Sequence, residues 1–152
     1  MAGIRRLVVG VDGSPQASYA LAWAIRMARG MGSEVIAVYA ISPPAYVDLG
    51  YSQISPPMQY DAQWRAEIQK EFEQEWTKDL RESGVHFQTV IRDGRAASVV
   101  AQVAEEANAD IVLIGRRGRG GMAELLLGSV SHELVLHSRR PVLVISSAPA
   151  AA

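Results

Sequence analysis

The stretch Ile111-Val112-Leu113-Ile114-Gly115-Arg116-Arg117-Gly118-Arg119-Gly120-Gly121 passes directly from an apolar, β-branched run into a glycine-rich turn. Ile111 to Ile114 is apolar on both faces, as in a strand from the middle of a sheet covered on both sides; a half-exposed strand would alternate. The glycines behind it leave the backbone free to turn its N–H groups inward, where side chains would block both the dihedrals and a ligand's approach. Farther on, Gly128-Ser129-Val130-Ser131 starts a helical segment that closes at Arg139 and Arg140 before Pro141.

Working outward, Leu7 to Val11 and Val35 to Val38 are apolar on both faces in the same way, as is Val142 to Ile145 behind Pro141. His86 to Ile91 alternates and is more polar, which suits an edge strand. Between the first two runs, Ala17, Ala20, Leu21, Ala24, Ile25 and Ala28 form one stripe of a helix. Ser14 caps this helix, Pro15 opens it, Arg26 and Arg29 complement its C-terminal dipole, and Gly30 or Gly32 ends it. A further helix runs through Val99, Val103, Ala104 and Ala107 into the strand that begins at Ile111. Strands alternating with helices need crossover connections, so the expected fold class is α/β, an open five-stranded parallel sheet with helices on both faces. Residues 1–147 read as one domain, and 148–152 as a disordered tail.

Ser42 to Pro57 holds four of the seven prolines and reads as a long surface loop, either covering a site or without function. Tyr60, Trp64, Ile68, Phe72, Trp76 and Leu80 then recur every fourth residue, a stripe that drifts about 40° per step around an α-helix and therefore winds. Packing on the sheet is the preferred reading for these aromatic residues, ahead of a cofactor or partner face.

The 152 residues carry 15 Lys+Arg against 16 Asp+Glu, a net charge of −1, which argues against a protein that coats nucleic acid or an anionic membrane. With no cysteine there is no disulfide, thiolate metal site or cysteine nucleophile, and a reducing cytoplasm fits. No apolar run is long enough to span a bilayer, and Leu7 to Val11 is too short for the core of an export signal.

Ligands of open parallel sheets bind beyond the carboxyl ends of the strands. Two turns leave such ends here, Asp12-Gly13-Ser14 and Gly115 to Gly121, the latter continuing to Gly128-Ser129. Inward-facing amides, a helix N-terminus and the positive charges of Arg116, Arg117 and Arg119 together suit a phosphate chain. The bland alternative is a flexible connection with a solvated rim. No GxxxxGK[ST] occurs, and Gly118 to Ala123 matches GxGxxA only after the fourth strand, with no acidic residue ending the next strand, so neither a Walker loop nor a dinucleotide fingerprint is present.

The spacing Gly115-x2-Gly118-x9-Gly128-Ser129 resembles the nucleotide motif of the universal stress protein (UspA-like) family, in its ATP-binding branch. Val9 to Ser14, Ala109 to Gly115, Leu127 to Ser131 and His137 to Ile145 are similar to further parts of that family, while Ser42 to about Ser83 lies outside the likeness. The resemblance implies a Rossmann-like sheet of order 3-2-1-4-5, which brings the two turns together. It also implies that Gly115, Gly118, Arg119, Gly128, Ser129 and Ser131 hold phosphates, that Asp12 meets the ribose or a nucleotide-bound Mg²⁺, that the Ala40 backbone meets the adenine edge, and that Val11 walls the base. Val9, Gly10, Gly13, Ile114, Arg117, Gly120 and Val130 complete the expected ligand surface. Arg116, and Arg95-Ala96, depart from the family's usual residues. A homodimer through Val142 to Ile145 is the implied partner.

Consecutive Ser131, His132 and Glu133 point about 100° apart on a helix and cannot form a relay. His86 reads as outward-facing and His137 as a last-turn residue, neither with zinc-ligand spacing. Three readings of function follow: an adenine-nucleotide sensor binding ATP, AMP or cyclic AMP, which is preferred; a slow ATPase or autophosphorylating enzyme; and a nucleotide-independent dimeric module.

Overall fold

The computed structural model describes residues 3–42, 62–118 and 126–151. Its elements are β1 (Arg6–Gly10), α1 (Pro15–Met31), β2 (Glu34–Ile41), α2 (Ala62–Glu71), a π turn (Phe72–Trp76), α3 (Lys78–Glu82), β3 (Phe87–Asp93), α4 (Ala96–Glu106), β4 (Ile111–Gly115), α5 (Ser129–His137) and β5 (Val142–Ile145). The five strands form one parallel sheet in the order β3-β2-β1-β4-β5. From β1 the chain builds outward through β2 to β3, then returns to build β4 and β5 on the other side. The sheet order therefore reverses between β1 and β4.

Alternate residues of the central strands feed two separate cores, as the period of two requires. Leu7, Val9, Val35, Ala37 and Leu113 pack against the stripe of α1 and against Phe72 and Leu80. Val8, Ile36, Val38, Val112 and Ile114 pack on the opposite face against Val99, Val100, Val103 and Ala104 of α4 and Leu134 of α5. The six stripe residues of α1 are all buried, and Ser14 caps the helix by accepting the Ala17 N–H at 3.2 Å. Gly32 rather than Gly30 ends α1: it is left-handed, with φ of 69°, and donates its N–H to the Ala28 carbonyl at 2.8 Å. β3 is an edge strand, shifted slightly from the expected span, and His86 before it is exposed.

The evenly spaced aromatic stripe needs correction. The buried positions are Ile68, Phe72, Thr77 and Leu80, so the chain takes a five-residue step between Phe72 and Thr77. The Thr77 N–H donates to the Phe72 carbonyl at 3.2 Å, an i→i+5 bond that turns the helix less per residue and cancels the winding. The Thr77 hydroxyl, wholly buried, donates to the same carbonyl at 2.8 Å. Trp76 is thereby left half-buried, edge-on to Tyr39 at a centroid separation of 5.1 Å. Tyr60 and nearly all of the Ser42 to Pro57 loop lie outside the described residues.

The C-terminal end of the chain makes two hydrogen bonds to α1, one through Ser147 and one through Ala150, the latter within the 148–152 segment expected as a disordered tail. Trp23 donates its indole N–H to the Ser147 carbonyl at 3.0 Å, and Arg26 its guanidinium to the Ala150 carbonyl at 2.9 Å. Across the sheet's lower end, one oxygen of Asp110 accepts the N–H groups of Arg5 at 2.7 Å and Arg6 at 2.9 Å, tying the start of β1 to the start of β4.

These amides, that of Arg6 first, hold the Asp110 carboxyl below its ordinary range. Hydrogen bonding to Arg65 lowers Asp93, and to Arg92 lowers Glu106, in the same sense. A carboxyl whose folded pKa is depressed stabilises the fold above its unfolded value, near 4, and loses that contribution as the pH falls through the folded value. Stability measured by urea unfolding is therefore expected to fall as the pH drops below about 4. Asp110→Asn keeps the acceptor but not the charge; it should be less stable at neutral pH and show a shallower acid decline. An unchanged acid slope in Asp110→Asn would refute this account.

Candidate functional site

The turns after β1 and β4 meet at the point where the sheet order reverses, as the chemistry of open parallel sheets leads one to expect. Asp12 folds its turn by accepting the Ser14 N–H with Oδ1 at 2.9 Å. Its other oxygen lies against Gly118, where an added Cβ would come within 2.6 Å of Oδ2. Gly115 is held more tightly: a Cβ there would sit 2.8 Å from the backbone carbon of Gln16 in the first turn of α1. The glycines therefore serve the close approach of two chain segments.

The peptide group between Arg116 and Arg117 is fixed at both polar ends. Its carbonyl accepts the Gly128 N–H at 2.7 Å and the Ser131 hydroxyl at 2.8 Å, both from the start of α5. Its N–H donates to Gln16 Oε1 at 2.6 Å. The Arg116 N–H continues the ladder by donating to the Ile145 carbonyl at 2.7 Å. Three nearby amides, those of Gly118, Ser129 and Val130, have no acceptor among the described residues. The last two belong to the first turn of α5, whose N-cap is the extended Gly128.

Beside these amides lies a cleft between the carboxyl ends of β1, β2 and β4. Val11, Val38, Ala40, Val100, Ile114 and Val130 give it an apolar wall, and Asp12 is the only carboxylate on it among the described residues. Arg117 also lines it, and the Nε atoms of Arg116 and Arg117 are buried without a hydrogen-bond partner among the described residues. Of the expected site residues, Gly10, Val11, Asp12, Ala40, Ile114, Gly115, Arg117, Gly118 and Val130 line this cleft. Gly13 (φ 78°) forms the exposed outer turn, and Ser129 is exposed at the start of α5.

The remaining expectations fare differently. Val9 is wholly buried in the core beneath α1, not on the cleft. Ser131 is buried, and its proton is committed to the Arg116 carbonyl, so in this arrangement it braces the turn. Arg119 and Gly120 lie outside the described residues. Ser14, from the expected Asp12-Gly13-Ser14 turn, also lines the cleft; sequence reasoning missed Ala17, Val38, Tyr39, Ala96 and Val100 on it, and Gln16 behind it. Val38 was visible as the partner of Ala40 on one strand face; Gln16 gave no signal, because an exposed-looking polar residue in a helix's first turn is unremarkable. His132 is exposed and Glu133 pairs with Arg95 at 3.0 Å, so Ser131-His132-Glu133 forms no relay. No group of three acidic, histidine or cysteine side chains among the described residues could hold a metal.

A doubly wound parallel sheet with a half-apolar, half-amide cleft at its crossover places the chain among open-sheet α/β proteins. Residues 3–146 match the model of the universal stress protein family. The chain belongs to that family. It is 28% identical over 145 residues to universal stress protein MJ0531 of Methanocaldococcus jannaschii, covering 93% of this chain and 81% of that one. It is likewise 28% identical over 147 residues to universal stress protein YxiE of Bacillus subtilis, covering 92% and 97%. Among solved structures it resembles that of hypothetical protein MJ0577, with a TM-score of 0.76, 21% identity and coverage of 98% and 100%. A universal stress protein in complex with cAMP shares the fold at a TM-score of 0.63, 22% identity and coverage of 95% and 98%. One from Archaeoglobus fulgidus in complex with dAMP does so at 0.59, 19% identity and coverage of 93% and 97%.

The two glycine contacts differ in what must yield. At Gly115 the obstacle is backbone, so Gly115→Ala should destabilise the fold by about 1–3 kcal/mol. At Gly118 it is a side-chain oxygen of Asp12 rather than backbone, so Gly118→Ala should cost less than Gly115→Ala. Chemical denaturation of both variants measures the contrast, and equal losses would contradict the packing described.

Proposed function

We propose that the cleft binds an adenine nucleotide, ATP in preference to AMP or cyclic AMP, and that the chain acts as a stress-response sensor through a nucleotide-dependent change of conformation or partner. The observation that carries this reading is the pairing of an apolar slot with the acceptor-free amides of Gly118, Ser129 and Val130. A base suits the slot between Val11, Val38 and Ala40, and phosphate oxygens suit amides at a helix N-terminus, where the dipole also favours negative charge. The exposed Ser129 hydroxyl and the Arg117 guanidinium add donors. Complexes of two relatives of the same fold with cAMP and dAMP support the choice of an adenine ligand.

Asp12 fits a role beside a Mg²⁺ carried on the phosphates, since this ion takes one or two carboxylates and fills its remaining positions with water and phosphate oxygens. When bound, the ion would neutralise phosphate charge next to Gly118. Binding is favoured over turnover because Asp12 already accepts the Ser14 N–H and no second carboxylate lines the cleft among the described residues. Water attack would then lack a general base, a group worth roughly 10²- to 10⁴-fold in rate. A cytoplasmic setting suits a cysteine-free chain, and among the described residues no helix is long and apolar enough to cross a membrane.

The reading extends to a homodimer through β5. This strand is the sheet's outer edge, with Leu143 exposed and Val142 and Val144 half-buried, and an apolar edge of this kind calls for a pairing partner.

Titration calorimetry with ATP, AMP and cyclic AMP should give heat with ATP at least, and ligand at about 100 times its Kd should add about 2.7 kcal/mol of stability. No heat and no thermal shift with any of the three would remove the nucleotide reading. Sedimentation at tens of micromolar should show a dimer; a monomer would remove the β5 interface.

A further inference from the structure

The phosphate side of the cleft is only as well ordered as the turn that carries it, and that turn is held from two directions. From α5, Gly128 and Ser131 hold the Arg116 carbonyl at 2.7 and 2.8 Å. From α1, the Gln16 side chain alone among the described residues reaches the other end of the same peptide group, accepting the Arg117 N–H at 2.6 Å. Rotation of that peptide would re-aim the next amide, Gly118 N–H, and the Arg117 side chain, both of which belong to the cleft. The fold does not otherwise need Gln16. Its side chain is only half-buried, α1 is capped independently by Ser14, and the α1 stripe in the core does not include it.

We propose that Gln16 is a positioning residue for phosphate recognition: by holding the Arg117 amide it orients the Gly118 amide and the Arg117 guanidinium toward the phosphates of a bound nucleotide. This rests on the reading of the cleft as a nucleotide site and adds a residue that the glycine motif does not contain. The base pocket, formed by β1, β2 and α4, owes nothing to Gln16. Loss of Gln16 therefore weakens ligands according to their phosphates.

The test compares wild type, Gln16→Met and Gln16→Glu for binding of adenosine and ATP, and for hydrogen exchange at the Arg117 amide without ligand. Methionine keeps the length and removes the acceptor; glutamate keeps an acceptor. In Gln16→Met, ATP should bind roughly five- to tenfold more weakly, as for loss of one positioned hydrogen bond, with adenosine changed by less than about twofold. The Arg117 amide should exchange about tenfold faster in Gln16→Met and regain its protection in Gln16→Glu. Unchanged ATP affinity, equal losses for adenosine and ATP, or unaltered Arg117 exchange would each overturn the proposal while leaving the nucleotide reading intact. Failure of the wild-type protein to bind ATP would instead overturn that reading, and this inference with it.

Discussion

The cleft end of this sheet depends on a single peptide group, the one joining Arg116 to Arg117. Its carbonyl is taken by α5 and its N–H by α1, so two helices on opposite faces of the sheet are fastened through one rigid plane. Because the peptide unit is planar, bonds at both its polar ends fix the orientation of that plane and so the point from which the chain continues toward Gly118. Gly115 and Gly118 make this geometry attainable, the first by letting β4 leave the sheet pressed against α1, the second by letting the turn close on Asp12. A cleft results whose rim amides sit on a turn braced from both faces of the sheet, the arrangement on which the proposed binding rests.

Much of the fold was legible because the central strands are apolar on both faces, although Val142 to Ile145 carries the same pattern on an edge strand that leaves Leu143 exposed. Leu7 to Val11 and Ile111 to Ile114 were therefore readable as strands of a covered sheet. The polar alternation of His86 to Ile91 marked an edge for the same reason. Strand order was not legible from periodicity, since any permutation buries these runs equally; it came from the likeness of the Gly115, Gly118 and Gly128 spacing to a known family. The five-residue step at Thr77 was invisible because a threonine's backbone bonds depend on a turn type that its neighbours do not announce.

The candidate site was legible wherever function is carried by missing side chains, and illegible wherever it is carried by ordinary ones. Gly115, Gly118 and Gly128 stood out because few structural duties explain so many glycines between a buried strand and a helix. Ser131 stood out too, yet its hydroxyl turns inward to brace the turn, a direction set by the helix's rotation rather than by its spacing. Val9 was swept in by adjacency, although it sits in β1 two residues before Val11, in the core beneath α1 and short of the carboxyl end where the cleft opens. Gln16 escaped notice because its importance lies in a contact across 101 residues of chain.

The π turn between α2 and α3 gives this helical segment a tolerance in length. Phe72 and Leu80 anchor it in the core eight positions apart, one more than two regular turns would use, while Glu73, Gln74 and Glu75 between them face solvent. A one-residue deletion among those three would leave the anchors seven apart, within about 20° of the same face of an unbroken α-helix. A chain one residue shorter here can thus keep the same two anchors in the core.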